Sequence, residues 1–276
     1  MLGSFTLTAD GYTVPLGVDS RRLVAYLAIH PRPQERVTLA ADLWPGVAPA
    51  AAARMLAEAV AAVDVPGVFL ADDAAAGADD ASAAEGGPLA LAADVEVDLA
   101  DALGLVRALP EIPVSDAPDV ALLGADILPG WTAAWIAVER ERFRQLRLHA
   151  LEERSLRLTA AGRYDDAVAM AQTAVRAAPS RESARRTLIE AHLAQGNIAA
   201  AVAEYDDYQE LLRSSVGPAT TGLEALFPPS PVWPVLRARS PMPRSAVQLP
   251  GLRAARGAYG GGRRLVAGGS IPGTSR

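Results

Sequence analysis

Phe5-Thr-Leu7 and Thr13-Val-Pro-Leu16 alternate apolar and polar residues on either side of Asp10-Gly11, a spacing that predicts a short β-hairpin. From Asp19 the period changes: Leu23, Tyr26, Leu27 and His30 fall at i, i+3, i+4 and i+7, the apolar stripe of a helix that Pro31 ends. His30 at that edge reads as a partly buried helix-end residue. Leu39 to Leu43 and Trp44 form a short second helix closed by Pro45-Gly46, and a third runs from about Ala50 to Val63 with Leu56, Val60 and Val63 inward. Val68-Phe-Leu70 and Leu89-Ala-Leu91 then pair as a last hairpin around an acidic, Ala-rich insert at about 71–87. Strands, three helices and a terminal hairpin make residues 1–95 a winged helix-turn-helix.

The second half is helical throughout. Asp98 caps a helix that ends before Pro110, and a loop punctuated by Pro113, Pro118 and Pro129 follows. From Trp131 onward Trp135, Val138, Leu148, Leu151, Ser155 and Leu158 recur at helical spacings, interleaved with six Arg and four Glu between Glu139 and Arg157. Those charges read as a solvated face with i,i+4 pairs, and the two Trp as core anchors. Gly162-Arg-Tyr-Asp-Asp-Ala167 and Gly196-Asn-Ile-Ala-Ala-Ala201 are offset by 34 residues, the period of tetratricopeptide repeats. Ala167, Ala174 and Pro179 sit where that repeat has small residues and a closing proline. Helices near 139–161, 164–178, 181–195 and 198–214 give two pairs, which stack to bury their faces and leave a concave surface. The expected fold is therefore mainly α: an N-terminal α+β winged helix-turn-helix followed, over 96–227, by an α-helical tetratricopeptide-like repeat domain.

Composition removes most enzyme chemistry. All 26 basic residues are Arg, so there is no phosphate loop ending in Gly-Lys and no Schiff-base lysine. No Cys is present, hence no thiol nucleophile, thiolate metal site or disulfide. His30, His149 and His192 are too far apart in sequence to suggest a ligand pair. No catalytic residue, metal site or cofactor is assigned, and the chain is expected not to be an enzyme. The Ala- and Arg-rich, Lys-free usage also resembles the codon bias of a high-GC genome. The longest charge-free stretches, 127–138 and 225–236, are too short to span a bilayer, and the first ten residues lack a signal-peptide pattern. A cytoplasmic protein with no membrane partner is the expectation.

The net charge of −6 is unevenly spread. Met55 to Val106 carries eleven acids and no base, whereas 228–276 carries eight Arg and no acid, leaving −14 on residues 1–227. The tail also holds 8 of the 21 Pro and 8 of the 23 Gly without sustained periodicity, and reads as a disordered end, with loose polyanion contact as its functional alternative.

The first hairpin, Ser20-Arg-Arg-Leu-Val-Ala-Tyr-Leu27, Leu39-Ala-Ala-Asp-Leu-Trp-Pro45 and Ala53-Arg54-x-Leu56 resemble the winged-helix domain of SARP transcriptional regulators. Ile127-Leu-Pro-Gly-Trp131, Glu139-Arg-Glu-Arg142, Gly162-Arg-Tyr, Arg181-Glu-Ser-Ala184, Ala191-His-Leu-Ala-Gln-Gly-Asn197 and Leu211-Leu-Arg resemble the bacterial transcriptional activation domain that follows it in that family. The resemblance implies a recognition helix in the major groove, promoter DNA as partner, and a helical domain that self-associates and contacts RNA polymerase or another protein. Arg21, Arg22, Arg36 and Arg54 are the candidate DNA contacts, each with a solvated surface role as its alternative. After Leu56 the family's Arg-Leu-Arg becomes Ala62, Val63 and Asp64, so both flanking charges are lost. Phosphate neutralisation supplies most non-specific DNA affinity, so this departure bears directly on function. Two readings follow: a SARP-type DNA-binding activator, or a helical-repeat interaction scaffold whose winged helix no longer binds DNA.

Overall fold

The computed structural model describes residues 1–69, 87–215, 221–227 and 263–265. The chain divides into two compact units that interleave in sequence instead of following one another. The first comprises Met1–Gly104, Ala125–Phe143 and Gly260–Arg276, and the second Leu105–Gly124 and Arg144–Tyr259. Helices α4 (Asp98–Ala108) and α5 (Ala134–Ala160) contribute residues to both.

In the first unit, β1 (Leu7–Ala9) and β2 (Tyr12–Thr13) form the expected hairpin, with Thr8 opposite Thr13. Asp10 and Gly11 have φ of 50° and 81°, the left-handed pair that a two-residue turn between right-twisted strands requires. Three helices follow, α1 (Val18–Ile29), α2 (Arg36–Leu43) and α3 (Pro49–Ala61). Pro49 opens α3, where its fixed φ suits a first helical residue and its missing N–H leaves no bond unmade. Leu23, Tyr26, Leu27, Leu39, Leu43, Trp44 and Leu56 make the shared core, with Leu89 of the wing against them. The wing closes by bridges, Phe69 with Leu91 and Gln34 with Leu89; Leu70 and most of the insert lie outside the described residues.

The rest of the first unit departs from a linear reading. Trp131 and Trp135, expected to anchor the helical domain, pack here: Trp131 lies 6.1 Å from Phe5, and Trp135 meets Tyr26 edge-on at 5.1 Å. Their segment is held by the chain's first residues, through Gly3 N–H to the Asp126 carbonyl and Leu128 N–H to that of Met1. Arg140 fastens it from α5, donating from Nε to Ile127 O (2.8 Å) and from Nη2 to Leu128 O (2.7 Å) and Trp131 O (3.0 Å). Leu128 sits at φ 41°, a left-handed conformation that costs a non-glycine residue about 1 kcal/mol and that these bonds enforce. Asp98, expected to cap α4, instead accepts from the Met1 amine (3.0 Å) and the Leu2 N–H (2.9 Å) through Oδ2, because a buried carboxylate is best stabilised by a charged donor. The tail, read as disordered, contributes a strand: β4 (Arg263–Leu265) lies between β1 and β3 (Val95–Val97) in a sheet of order β2-β1-β4-β3. Ladder bonds to two neighbours outweigh its weak intrinsic pattern.

The second unit contains α6 (Tyr164–Ala177), α7 (Glu182–Ala194) and α8 (Ile198–Ser215), with 3-10 turns at Ala121–Gly124 and Gly222–Leu226. The 34-residue repeat is visible in its helix ends. Gly162 N–H bonds Thr159 O while Arg163 N–H bonds Leu158 O, and Gly196 with Asn197 repeats the pattern on Leu193 and His192. Both are Schellman caps, and both glycines have the positive φ the cap needs (75° and 80°). Asn197 Oδ1 then accepts the Ala200 N–H to start α8. Ala167, Ala171, Ala174, Ala184, Ala191 and Ala201 are all fully buried, which brings helices close enough for Ser155 Oγ to donate to Ala167 O at 2.8 Å. Ile189, Tyr205, Tyr208 and Leu223 fill the far end.

The Arg-rich run of α5 is not the solvated face its composition suggests. Arg147 and Arg154 are each 1% exposed. Arg154 donates to Ile112 O (2.5 Å), Pro113 O (2.7 Å) and Asp116 O (2.8 Å), Arg157 to the carbonyls of Leu109 and Pro110, and Arg163 to Val114 O (2.5 Å). The prolines of this loop prevent a regular ladder and leave carbonyls without backbone donors, and guanidinium forks supply them. Replacing Arg154 by Lys keeps the charge but loses the fork. We expect both Arg154→Lys and Arg154→Ala to lower unfolding free energy by about 2–4 kcal/mol in chemical denaturation, with little rescue by Lys.

His192 is also buried, and burial lowers its pKa below the usual histidine value despite the nearby Glu204 and its hydrogen bond with Gln195. The folded chain thus binds this proton more weakly than the unfolded one, whose histidines titrate near about 6.5. Stability should fall as pH drops below that value and level off once His192 protonates in the folded state. Urea unfolding between pH 7.5 and 5 should show a shallower slope for His192→Gln than for the wild type.

Candidate nucleic-acid interface

Three polar links set α2 against α1 and so fix the frame that presents α3. Tyr26 donates its hydroxyl to Asp42 Oδ2 (2.6 Å), Trp44 donates Nε1–H to Asp19 Oδ1 (3.0 Å), and Arg22 Nη2 donates to Leu43 O (2.5 Å) at the end of α2. Burial, with the Asp42 contact, pushes the Tyr26 phenol well above its ordinary range, so it stays a donor at any physiological pH. Ser20 Oγ donates to Ala59 O (2.9 Å) and ties α1 to α3. His30 stacks on Tyr26 at 4.2 Å between ring centres, half-buried at the helix end as its position suggests.

On this frame α3 turns Ala52, Leu56 and Ala59 inward. Its exposed face is Ala50, Ala53, Arg54, Ala57, Glu58 and Ala61. One base and one acid four residues apart leave that face neutral, and the methyl side chains between them cannot hydrogen-bond a base edge. Val63 is buried, while Asp64 beside it is exposed.

The four candidate Arg divide into two pairs. Arg22 holds the α2 carboxyl terminus, and Arg36 donates Nε–H to Gly87 O (2.9 Å), bracing the return of the wing beside the Gln34–Leu89 bridge. Both are half-buried. Arg21 and Arg54 are exposed; Arg21 makes a 3.3 Å contact to Leu16 O, and Arg54 projects from α3. Sequence reasoning treated the four alike because an Arg that binds a carbonyl distant in sequence leaves no mark on local spacing.

In the second unit, Arg181 clamps α5 to the start of α7, bonding Glu152 Oε1 (2.8 Å), Gln145 Oε1 (2.8 Å) and Ser183 Oγ (2.8 Å). Arg185 pairs with Glu204 at 2.5 Å and lies over the Tyr208 ring, joining α7 to α8. These residues stand within or beside the run Arg181-Glu-Ser-Ala184. The family described as bacterial transcriptional activator domain matches residues 120–225.

Over these residues the chain is similar to a bacterial transcriptional activator domain. The matched region begins at the 3-10 turn before the Trp131 segment and ends within the 3-10 turn after α8. Over 87% of its length the chain is similar in fold to Mycobacterium tuberculosis EmbR in complex with a low-affinity phosphopeptide, with a TM-score of 0.51 and 19% identity. The chain spans 63% of that structure's length. No curated protein gives a significant match. Among the described residues no helix is long and apolar enough to cross a membrane.

The division of the Arg residues separates folding from binding. Arg22→Ala should lower unfolding free energy by about 1.5–3 kcal/mol, the range for a hydrogen bond from a charged group. Arg54→Ala should leave it within about 0.5 kcal/mol, as for an exposed surface site. Thermal and urea unfolding of the two variants in parallel checks this.

Proposed function

We propose that the chain is a promoter-binding transcriptional activator in which the winged helix docks on DNA and the activator domain contacts RNA polymerase or another protein of the transcription machinery. The observation that carries this is the junction itself: a helix-turn-helix held rigid by three polar links, with Arg54 and Arg21 outward, in one chain with an activator domain. Arg54 serves the base edges or phosphates of the major groove, and Arg21 a flanking phosphate. Arg22 and Arg36 act on DNA only through the frame they brace. Such a protein acts where the chromosome is, in the cytoplasm of a bacterium. Self-association through the activator domain would place two winged helices on adjacent sites and double the phosphate contacts.

With two of the four candidate Arg facing outward as the phosphate contacts, affinity should depend on salt only modestly, with a slope of log K against log salt of about −2 per protomer. The full chain should enrich particular duplexes from a randomised pool at 50 mM salt. On a selected duplex, Arg54→Ala should weaken binding by about 1–3 kcal/mol if Arg54 reads a base, and flatten the slope by about one if it binds phosphate.

A second reading is favoured by one observation, the neutral alanine face of α3. On that reading the helical repeats are an interaction scaffold and the winged helix a structural appendage. Absence of any enriched sequence, and of retardation of bulk duplex at low salt, would decide for the scaffold.

A further inference from the structure

The tail strand β4 takes a place in the middle of a sheet. β1 and β3 do not neighbour one another; each pairs with β4, β1 antiparallel with Leu7 opposite Leu265, and β3 parallel with Val95 opposite Arg263 and Val97 opposite Leu265. Without β4 the sheet separates into a two-stranded hairpin and a lone strand of three residues, and neither is stable in water unaided. Two edges would then present unpaired N–H and C=O groups to each other across one strand's width, which is the geometry of strand addition.

The channel also has chemistry. Leu7, Val95 and Val97 on its two edges are buried, while Glu96, the Cα partner of Arg264, is exposed. Residues 1–104 hold fifteen acids against five Arg, and the tail carries only bases. Within that tail the sequence Arg263-Arg-Leu-Val-Ala267 is a short strand-prone run bracketed by Gly260-Gly-Gly262 and Gly268-Gly269. A segment tethered to its own site has an effective concentration in the millimolar range, which favours the chain's own tail over that of a second copy.

We propose that the channel between β1 and β3 is a strand-acceptor site for an extended basic peptide, and that Arg263–Leu265 of the same chain fills it as a latch. The winged helix is complete only with the latch in place, and Arg263–Leu265 are thereby a bound element of that unit.

Hydrogen exchange of the full chain tests this. In the wild type, amides of Leu7–Ala9, Val95–Val97 and Arg263–Leu265 should be protected together. Arg264→Pro, which removes an N–H from a central strand, should speed exchange of the first two groups at least tenfold while α6–α8 keep their protection. A fluorescent peptide of residues 258–270 should bind the Arg264→Pro protein at least tenfold more tightly than the wild type, and a scrambled peptide of equal charge should not bind. Free-peptide exchange rates at 263–265 in the wild type would overturn the proposal, and that measurement holds even where the proline variant fails to fold. A wild-type dimer that the peptide dissociates would place the latch in a second copy and overturn its assignment to the same chain. DNA binding enters none of these readouts, so the latch and the regulatory role can fail separately.

Discussion

A guanidinium laid against several backbone carbonyls is the interaction on which both units rest. Arg140 holds the 127–131 turn, Arg154 with Arg157 and Arg163 holds the proline-rich loop at 109–116, and Arg22 closes the end of α2. Each of these segments has carbonyls that neither helix nor sheet can satisfy, and buried without donors they would cost about 1–3 kcal/mol apiece. A fork with five N–H groups serves two or three of them at once, whereas an ammonium on a flexible stem would have to be ordered for the same work. The absence of Lys from the chain, which by itself resembles genomic bias, thus coincides with a fold in which Arg cannot be exchanged for Lys at several positions.

Apolar spacing was enough to place the helices, because each must bury one stripe and the period of that stripe survives any detail of packing. Leu23, Tyr26 and Leu27 in α1 and Leu56 in α3 are buried as their spacing requires. The two Schellman glycines were legible for a similar reason: a helix end needing positive φ selects glycine locally. What stayed hidden depends on partners distant in sequence. The carbonyls bound by Arg154 lie about forty residues earlier in the chain, and its own neighbourhood in α5 reads as an ordinary charged face. Trp131 and Trp135 looked like anchors for the helices beside them in sequence, but their partners, Phe5 and Tyr26, come from the first thirty residues. β4 is the extreme case, a three-residue strand whose ladder is wholly non-local, in a tail whose average composition masks it.

The same division explains why the candidate interface was only half legible. Arg21, Arg22, Arg36 and Arg54 are equivalent as letters, and the loss of basic residues after Leu56 could be read directly. Which Arg face outward is settled by geometry, since the braces at Leu43 and Gly87 consume Arg22 and Arg36. A frame built with Arg spends on folding the residue type that a DNA-binding surface also needs, and in a chain of net charge −6 few are left over.

That scarcity constrains how such a regulator would work. With a neutral α3 face, long-range attraction would do little to bring such a protein to DNA, and one protomer would form few phosphate contacts. Sequence preference must then come from the few side chains that touch bases and from the shape of the duplex against a rigid frame. Affinity sufficient for a promoter comes most readily from placing two protomers side by side, because the second binding step becomes intramolecular once the helical domains are joined. Weak single-site binding with strong dependence on assembly would turn the helical domain from an accessory into the determinant of occupancy. It would also make the winged helix tolerant of an acidic insert, because no single protomer would have to hold the duplex alone.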